Sequence, residues 1–599
     1  MATCTATGVA ELDACAVHPL GSKARVLLSS VFGPYAQDDQ YGSRSINPME
    51  LYHNQVTRVQ GVFSLRMFHR SWGLMLLQAN MDAPCRCLDF PTLDRFIEEI
   101  RRNRYDIVGI GAIIPNILKV RKMCELVRRY QPAATIVVGG HVAGVPDLQE
   151  RVDADHVVRG DGVRWFRRFL GQAEDEPIRH PIIWSGFGRR TMGVNLPFRR
   201  RFTAATLLPS VGCPIGCDFC ATSAMFGGKG RFVNFYETGD ELFDVMCRLE
   251  KAMGVQSFFV MDENFLLHRR RALRLLELME EHGKPWALYV FSSANALRSY
   301  TMEQLVALGV SWVWMGLEGK DSRYGKLHNT DTHRLVRRLQ SHGIRVLGSS
   351  IIGLDEHTPE NIDEAIDYAV SHSTEFHQFM LYTPSPGTPL YARLDSQGAL
   401  LGTDEISEAD VHGQYRFAHR HPHIPPGEET ELLLRAFRRD LEVNGPSILR
   451  VVATTVAGWK RYKDHPNRRI AARFAWEVAD VAAGSLGGVW AGRRLLRADS
   501  RMTARLDAVL RDAYAQFGLK ARLLAPIVGR FLLWSARREA KRLARGWTYE
   551  PPTFYESNVE LDLHTDAPGP KPKLCRFVEP TAGRSRTAAS PQRSGALAR

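Results

Sequence analysis

Short apolar runs alternate with amphipathic stretches over the first 170 residues. Each run is as long as a buried strand, and the stretch 119–130 between two of them has apolar residues at helical spacing. The predicted strands are 25–30, 105–110, 135–140 and 155–158. Alternating strands and helices predict a parallel α/β sheet of the Rossmann-like kind, which binds ligands at the carboxyl ends of its strands.

A second series of strand and helix patterns runs from 203 to 395. Thr238 and Glu241 have the spacing of a capping box, and Leu242, Val245 and Leu249 follow on one helical face. The apolar runs predict six strands: 205–210, 257–261, 286–291, 311–315, 346–352 and 376–381. Six strand–helix units predict a partial barrel with its chemistry at the carboxyl ends of the strands.

Beyond residue 400 the pattern changes to basic amphipathic helices, at 429–444, 468–483 and 521–545. The residues after Asp562 are rich in Pro, Ser, Ala and Arg, a composition that predicts disorder. The predicted organisation is a first α/β domain at 22–170, a linker at 171–202, the barrel at 203–395, a helical domain at 396–560 and a disordered tail at 561–599.

Composition narrows the class of protein. The chain has 599 residues, 44% hydrophobic content and a net charge of +13. Ten cysteines without paired spacing favour a reducing compartment, and the sequence shows no signal peptide and no apolar run long enough to span a membrane. We expect a cytoplasmic protein with no nucleic-acid partner, because many arginines fall in the helical third and the tail. The stretch 531–534 with its flanking arginines leaves peripheral membrane contact open.

Cys213, Cys217 and Cys220 carry the strongest chemical signal. Three thiolates on one short loop can hold an iron–sulfur cluster and leave one iron open to a ligand. The alternative is a structural zinc site, which needs a fourth Cys or His nearby, and none follows within twenty residues. The spacing therefore favours a cluster.

This motif, with Phe219 before the last cysteine, resembles that of the radical S-adenosylmethionine (SAM) enzymes. In that family three cysteines hold a 4Fe-4S cluster, and SAM chelates the fourth iron. The resemblance implies that Phe219 of the cysteine motif contacts a cofactor and that polar residues at the strand ends hold SAM: Glu263, Ser292, Ser293, Glu318 and Ser350. Glu263 and Glu318 are also candidate catalytic residues. The alternative role of a strand-end carboxylate is to cap a helix.

The loops of the first sheet resemble a cobalamin-binding domain. The residues that carry this resemblance are Gly109, Asn116, Gly139, Gly140, His141, Gly160 and Gly162. Many cobalamin proteins place an Asp-x-His-x-x-Gly motif after the first strand, but the loop 31–42 has no histidine. His53 or His141 could replace it, and Arg58, a candidate catalytic residue, or Arg66 could instead cover the lower corrin face. A simple tight turn at Gly139 and Gly140 is the alternative.

Together the three regions resemble the cobalamin-dependent radical SAM methyltransferases over nearly the whole chain. The resemblance implies that a methyl group passes from SAM to cobalamin to an unactivated carbon of a small molecule, in specialised antibiotic-type biosynthesis, with flavodoxin or ferredoxin as electron donor. Carbon C2 of tryptophan is the leading specific target. The aromatic residues that could stack an indole are Tyr289, Trp312, Trp314 and Tyr382.

Three other functions fit parts of the pattern. A cobalamin-dependent radical SAM cyclase or rearrangement enzyme would keep every motif. A transfer-RNA methylthiotransferase would need three more cluster cysteines in the first domain, and Cys85, Cys87 and Cys124 lack their spacing. A non-catalytic corrinoid or nucleic-acid binding protein would keep the fold without the cluster.

Overall fold

The computed structural model describes residues 16–33, 40–43, 55–68, 70–185, 187–196, 203–319, 327, 330–550, 556–557 and 573–576. It contains two six-stranded sheets followed by a group of helices. The predicted fold class is confirmed: a Rossmann-like sheet, a partial barrel and a helical carboxyl-terminal region. The predicted disordered tail lies outside the described residues, apart from 573–576.

The strands are β1 (Val26–Ser30), β2 (Arg66–Phe68), β3 (Cys85–Leu88), β4 (Ile107–Gly111), β5 (Thr135–Gly139), β6 (His156–Val158), β7 (Phe187–Thr191), β8 (Val194–Leu196), β9 (Ala205–Leu207), β10 (Ser210–Val211), β11 (Val233–Asn234), β12 (Ser257–Val260), β13 (Ala287–Phe291), β14 (Val310–Gly316), β15 (Arg345–Ile352), β16 (Phe376–Leu381), β17 (Trp547–Glu550), β18 (Glu556–Ser557) and β19 (Lys573–Arg576).

The α-helices are α1 (Trp72–Ala79), α2 (Leu93–Arg102), α3 (Ile117–Tyr130), α4 (Leu148–Val152), α5 (Gly162–Phe169), α6 (Ala221–Met225), α7 (Gly239–Met253), α8 (Arg269–Glu281), α9 (Ala294–Arg298), α10 (Met302–Ala307), α11 (Thr332–Ser341), α12 (Ile362–Ser371), α13 (Pro389–Ser396), α14 (Glu429–Asn444), α15 (Ser447–Tyr462), α16 (Arg468–Asp480), α17 (Leu486–Leu495) and α18 (Ser500–Leu543).

The first sheet has the strand order β18-β3-β1-β4-β5-β6, and all its pairs except β18–β3 are parallel. Leu27, Val108 and Ile136 are fully buried on one face. The strand order reverses direction at β1, and a doubly wound sheet binds its ligand where the order reverses. The carboxyl ends of β1, β4 and β5 therefore form the ligand edge of this sheet.

The second sheet has the order β9-β12-β13-β14-β15-β16, and every pair is parallel. These are the six strands that the apolar runs predict. A capping box at Thr238 and Glu241 begins α7, as predicted. The carboxyl ends of all six strands lie at one edge, where the site is built.

Two features differ from the sequence expectation. Strand β3 was not predicted, because Cys85–Leu88 is short and carries Arg86 at its centre. The predicted linker contains the hairpin β7–β8, which pairs with β2.

The carboxyl-terminal helices pack as a group beside the barrel. The predicted helix at 521–545 is the second part of α18, which spans 44 residues with a break in helical geometry at Gly518. Arg190 of β7 and Glu539 of α18 form a buried ion pair at 2.9 Å, which joins the hairpin to this group. In the described part of the chain, no helix is both long and apolar enough to cross a membrane.

Candidate functional site

The loop that contains Cys213, Cys217 and Cys220, which we call the cysteine loop, follows β10 at the carboxyl edge of the barrel sheet. Cys220 caps the amino terminus of α6, and its Sγ lies 3.5 Å from the backbone N–H of Ser223. The Ser223 hydroxyl donates to the carbonyl of Cys213 at 2.8 Å. Gly216 has a left-handed φ of +70°, and a Cβ there would lie 2.6 Å from Lys229. The tight turn therefore requires glycine at this position.

The three cysteines are free thiols, each half-buried. Burial, with smaller contributions from the nearby Cys220 and Cys217, raises the pKa of Cys213 to about 11. Among the described residues, no three His, Cys, Asp or Glu side chains converge tightly enough to hold a single metal ion. In an iron–sulfur cluster each thiolate binds a different iron.

The sixth strand supports the cysteine loop. The backbone N–H of Leu390 donates to the carbonyl of Asp218 at 3.0 Å, and the Tyr382 hydroxyl lies 3.3 Å from an Asp218 carboxylate oxygen. The Phe219 ring meets the edge of Tyr382 at 6.2 Å. These contacts fix the loop to the barrel, so Phe219 and Tyr382 act here as packing residues.

Glu263 lies beyond the end of β12, beside Cys213. Its Oε2 is buried and has no hydrogen-bond partner in the described structure. Burial raises the pKa of Glu263 to about 8, with a smaller contribution from Asp262. A buried acceptor without a donor costs free energy unless a ligand supplies one. The residue therefore fits the amino group of a SAM molecule bound at the cysteine loop.

The two neighbours of Glu263, Asp262 and Asn264, form hydrogen bonds to other side chains of the protein. Asp262 accepts hydrogen bonds from Arg271 and Ser210, each at 2.5 Å. Asn264 bonds to Ser292 and Ser293 at 3.1–3.2 Å. Both serines are buried, and the Ser293 hydroxyl also caps α9. The serines lie close to the predicted site, but their contacts in the structure join β12 to β13.

Glu318 follows β14, the fourth strand of the barrel sheet, and Ser350 lies near the carboxyl end of the neighbouring strand β15. Glu318 is buried, has a left-handed φ of +49°, and its N–H donates to the Ser349 carbonyl at 3.2 Å. A left-handed φ at a residue other than glycine is a strained conformation, which is common at functional sites. The Ser350 hydroxyl lies 3.0 Å from Nε2 of the buried His377, on the side of β15 away from the barrel interior. The structure does not bring Ser350 into the site.

Half-exposed aromatic side chains line the barrel interior. Trp314 stacks on Phe291 at 4.9 Å, and Trp312 stacks on Phe376 at 5.4 Å. Tyr289 lies opposite Trp312 in the register of β13 and β14 and shares their face. We call Tyr289, Phe291, Trp312 and Trp314 the aromatic wall. Three of the four aromatic residues predicted for a substrate pocket are in it, and Tyr382 is not.

A series of hydrogen bonds leads from Trp314 of the aromatic wall to Gln55. The indole N–H of Trp314 donates to Ser349 Oγ at 2.7 Å, Ser349 donates to Gln378 at 2.8 Å, and Gln378 donates to Gln55 at 2.7 Å. Sequence analysis missed Ser349 and Gln378. Their strand position gives the signal, because alternate residues of β15 and β16 face the interior.

Glycines occupy the ligand edge of the first sheet. We call this edge, with Gly109, Gly139, Gly140, Gly160 and Gly162, the glycine edge. Gly140 has a φ of +85°, and a Cβ there would lie 2.5 Å from the carbonyl oxygen of Ala112. A Cβ at Gly109 would lie 2.7 Å from Leu28, and Gly160 has a φ of +79°. Gly139 ends β5, Gly162 begins α5, and Asn116 is buried before α3. At Gly109 and Gly140 the glycine is therefore required by close packing within the first domain.

The two edges face each other. Nε2 of His141 lies 3.0 Å from the Thr222 hydroxyl, which belongs to the helix that follows Cys220. A Cβ at Gly144 would lie 2.9 Å from the carbonyl oxygen of Pro386, in the loop after β16. Burial lowers the pKa of His141. The glycine edge of the first sheet thus lies directly against the cysteine loop of the barrel.

Arg58 reaches this interface from a preceding segment. Its guanidinium donates to the carbonyl of Gln414, and burial lowers its pKa to about 10. Arg66 is buried on β2. His53 lies outside the described residues. The structure therefore places Arg58 against the segment that follows His412, and the prediction for His53 stays untested.

His412 also lies at the interface, and sequence analysis missed it. Its side chain is 3% exposed, and Nε2 has no hydrogen-bond partner in the described residues. The N–H of Gln414 donates to Nδ1 at 3.2 Å, and Nε2 lies 3.8 Å from an Asp410 carboxylate oxygen. Asp410, two residues earlier, accepts from Ser43 of the first domain at 2.5 Å. No sequence pattern could have shown this contact across 367 positions.

Comparison with protein families gives two matches. Residues 69–170 match the B12 binding domain, and residues 207–369 match the radical SAM superfamily. These ranges contain the glycine edge and the cysteine loop. The chain therefore combines a B12 binding domain with a domain of the radical SAM superfamily, and the cofactors that these two domains imply are cobalamin, a 4Fe-4S cluster and SAM.

Similar proteins include an uncharacterized methyltransferase of Pyrococcus horikoshii, 24% identical over 49% of this chain and 71% of its own length. A bacteriochlorophyllide d C-12(1)-methyltransferase of Chlorobaculum tepidum is 27% identical over 34% of this chain and 46% of its own length. The radical SAM methyltransferase TsrM from Kitasatospora setae, solved with cobalamin and a 4Fe-4S cluster, has 16% identity and a TM-score of 0.47, covering 77% of this chain and all of that one. The chain thus spans about half to seven tenths of these two curated relatives.

The alternative of a second cluster in the first domain does not fit. Cys85 and Cys87 are buried on one side of the first sheet and Cys124 on the other. Burial raises the pKa of both Cys85 and Cys124 to about 12. These thiols are core residues, and the sheet separates them.

Proposed function

We propose that this protein is a C-methyltransferase that moves a methyl group from SAM, by way of cobalamin, to a carbon atom of a small molecule. One observation carries the proposal: the cysteine loop and the glycine edge lie against each other, joined by His141 and Thr222 at 3.0 Å. A carbon without a lone pair or an acidic proton needs both cofactors near one substrate. When bound, the cluster with SAM would supply reducing chemistry and the cobalamin would carry the methyl group.

The protein's own residues would bind and orient the reactants. Cys213, Cys217 and Cys220 would hold the cluster, and the unpartnered Oε2 of Glu263 would accept from the SAM ammonium. The glycine edge would receive the corrinoid. Arg58 would place a cation beside the segment that follows His412. Fixing the reactants in this way lowers the entropic part of the barrier.

The aromatic wall supports a planar aromatic substrate, and C2 of tryptophan is the first target to assay. Its rings present half-exposed faces to the barrel interior, where a second aromatic ring can stack. The proposed place in specialised antibiotic-type biosynthesis rests on the sequence resemblance alone.

The test is anaerobic purification with cobalamin, reconstitution of the cluster, and incubation with methyl-labelled SAM and candidate substrates including tryptophan. A product that gains one labelled CH₂ unit supports methyl transfer. A product that loses hydrogen without gaining carbon would instead make the protein a cyclase. Protein that takes up neither iron nor cobalamin would overturn the proposal.

A further inference from the structure

The second part of α18, after Gly518, has its small side chains on the inside. Ala521, Ala525 and Gly529 are buried against the neighbouring helices. A Cβ at Gly529 would lie 2.5 Å from Cε3 of Trp490 on α17. This close approach packs α18 tightly against α17 at Gly529, and Leu532 and Leu533 pack beside it against the same apolar group.

Five large apolar side chains of the same segment point to solvent instead. Their exposures are 75% for Leu519, 68% for Leu523, 61% for Ile527, 54% for Phe531 and 58% for Trp534. We call these five residues the outer stripe. They recur every three or four positions, so they form one continuous band about 22 Å long. Of the nine exposed large hydrophobic side chains in the described structure, five are here.

The outer stripe is accompanied by positive charge. From Leu519 to Arg538 the chain has five basic residues and no acidic one. All five are exposed: Lys520, Arg522, Arg530, Arg537 and Arg538. The Arg538 guanidinium lies 5.8 Å from the Trp534 ring, beside the aromatic end of the stripe.

The positive charge around the outer stripe favours one of two possible partners, a second copy of the protein or a lipid bilayer. In a symmetric contact between two copies, the basic residues of one stripe would approach those of the other. An anionic bilayer instead accepts apolar side chains below its headgroups and pairs with the arginines around them. Long basic side chains extend to the headgroups while their neighbours are buried.

We propose that the outer stripe is a membrane-docking surface that binds the face of an anionic phospholipid bilayer. The helix lies in the plane of the interface and does not span the bilayer. This proposal is independent of the methyl-transfer chemistry, because α18 contains none of the cofactor-binding residues.

The test is flotation of the full-length protein with vesicles of phosphatidylcholine, with and without phosphatidylglycerol. The protein is expected to float with the anionic vesicles and to be released by salt. Phe531→Ser with Trp534→Ser should lower the partition coefficient about tenfold or more, and Arg530→Gln with Arg537→Gln about tenfold. Leu267→Ser, at an exposed apolar residue of the barrel, is the matched control and should float like the unmodified protein.

Two further measurements separate the outcomes. Vesicles with brominated acyl chains should quench fluorescence from Trp534, and the Trp534→Phe variant should lose that part of the quenching. Unchanged circular dichroism would show that the variants are folded. Failure of the unmodified protein to float overturns the proposal, and so does a dimer in solution that Phe531→Ser dissociates without any vesicle binding.

Discussion

Three consecutive polar residues after β12 show how position decides the role of a side chain. Asp262 and Asn264 are satisfied within the protein, by Arg271 and by the serines after β13. Glu263 lies between them and keeps a buried oxygen without a donor. The sequence predicted Glu263 from its position after the strand, and the contacts add that Asp262 is already paired within the protein.

Replacing Glu263 by Gln should weaken SAM binding about tenfold or more, because a charge-assisted hydrogen bond to the ammonium group is lost. Iron content should not change. Equilibrium dialysis of reconstituted protein with labelled SAM measures the effect. The neighbouring Asp262→Asn variant is the control, since it breaks the buried ion pair with Arg271 and should lower the melting temperature instead. Equal SAM affinity in Glu263→Gln and unmodified protein would contradict the assignment.

Replacing Cys217 by Ala should abolish cluster binding, because a site with one open iron has no spare protein ligand. The iron content and the visible absorbance after anaerobic reconstitution measure the loss, and methylated product should disappear with it. Cys247→Ala on α7 removes a half-buried thiol outside the loop and should leave the iron content unchanged. Methylation that persists in Cys217→Ala would refute the cluster assignment.

At the scale of elements, the apolar runs predicted where the strands lie, and the glycines predicted a turn. The runs placed every strand of the barrel sheet within a few residues of its observed bounds. They missed β3, because a four-residue strand with a central arginine has no clear period. The glycine turn after β5 was predicted to be a cofactor loop, and the close contact of Gly140 with Ala112 gives a physical reason for glycine there.

Replacing Gly140 by Ala should weaken cobalamin binding and destabilise the first domain. The added Cβ would meet the Ala112 carbonyl, and the φ of +85° would be strained. Gly283→Ala is the matched control: its φ is +62° but no atom lies within 4 Å, so it should cost only about 1 kcal/mol of strain. Cobalamin retained after gel filtration and the melting temperature measure both effects. Normal cobalamin retention in Gly140→Ala would show that this turn does not contact the cofactor.

At the scale of the whole molecule, buried charges join the barrel to the helical region. Arg345 of β15 and Glu477 of α16 form an ion pair at 2.8 Å, with side chains only 5% and 4% exposed. Arg473 lies 3.7 Å from the same carboxylate, and burial lowers the Arg473 pKa to about 10. One carboxylate therefore compensates two buried guanidinium groups.

Replacing Glu477 by Gln should cost about 3–5 kcal/mol of unfolding free energy, because it leaves two buried cations without a counter-ion. Urea unfolding followed by circular dichroism measures the change. Glu431→Gln breaks an exposed pair with Arg438 and should cost about 1 kcal/mol or less. Similar losses of unfolding free energy in the two variants would mean that water reaches Arg345 and solvates its charge.

The sequence by itself determined the two sheets, their order along the chain and the class of cofactors, and it predicted the cysteine loop as the cluster site. These features are local, since a strand, a turn or a cysteine loop depends on residues close together in the chain. Tertiary structure alone decided that Ser349 rather than Ser350 faces the barrel interior, that Arg58 contacts the segment that follows His412, and that the outer stripe faces solvent. Each of these depends on which surfaces pack together across hundreds of residues, and the periodicity of a single segment carries no information about its distant neighbours.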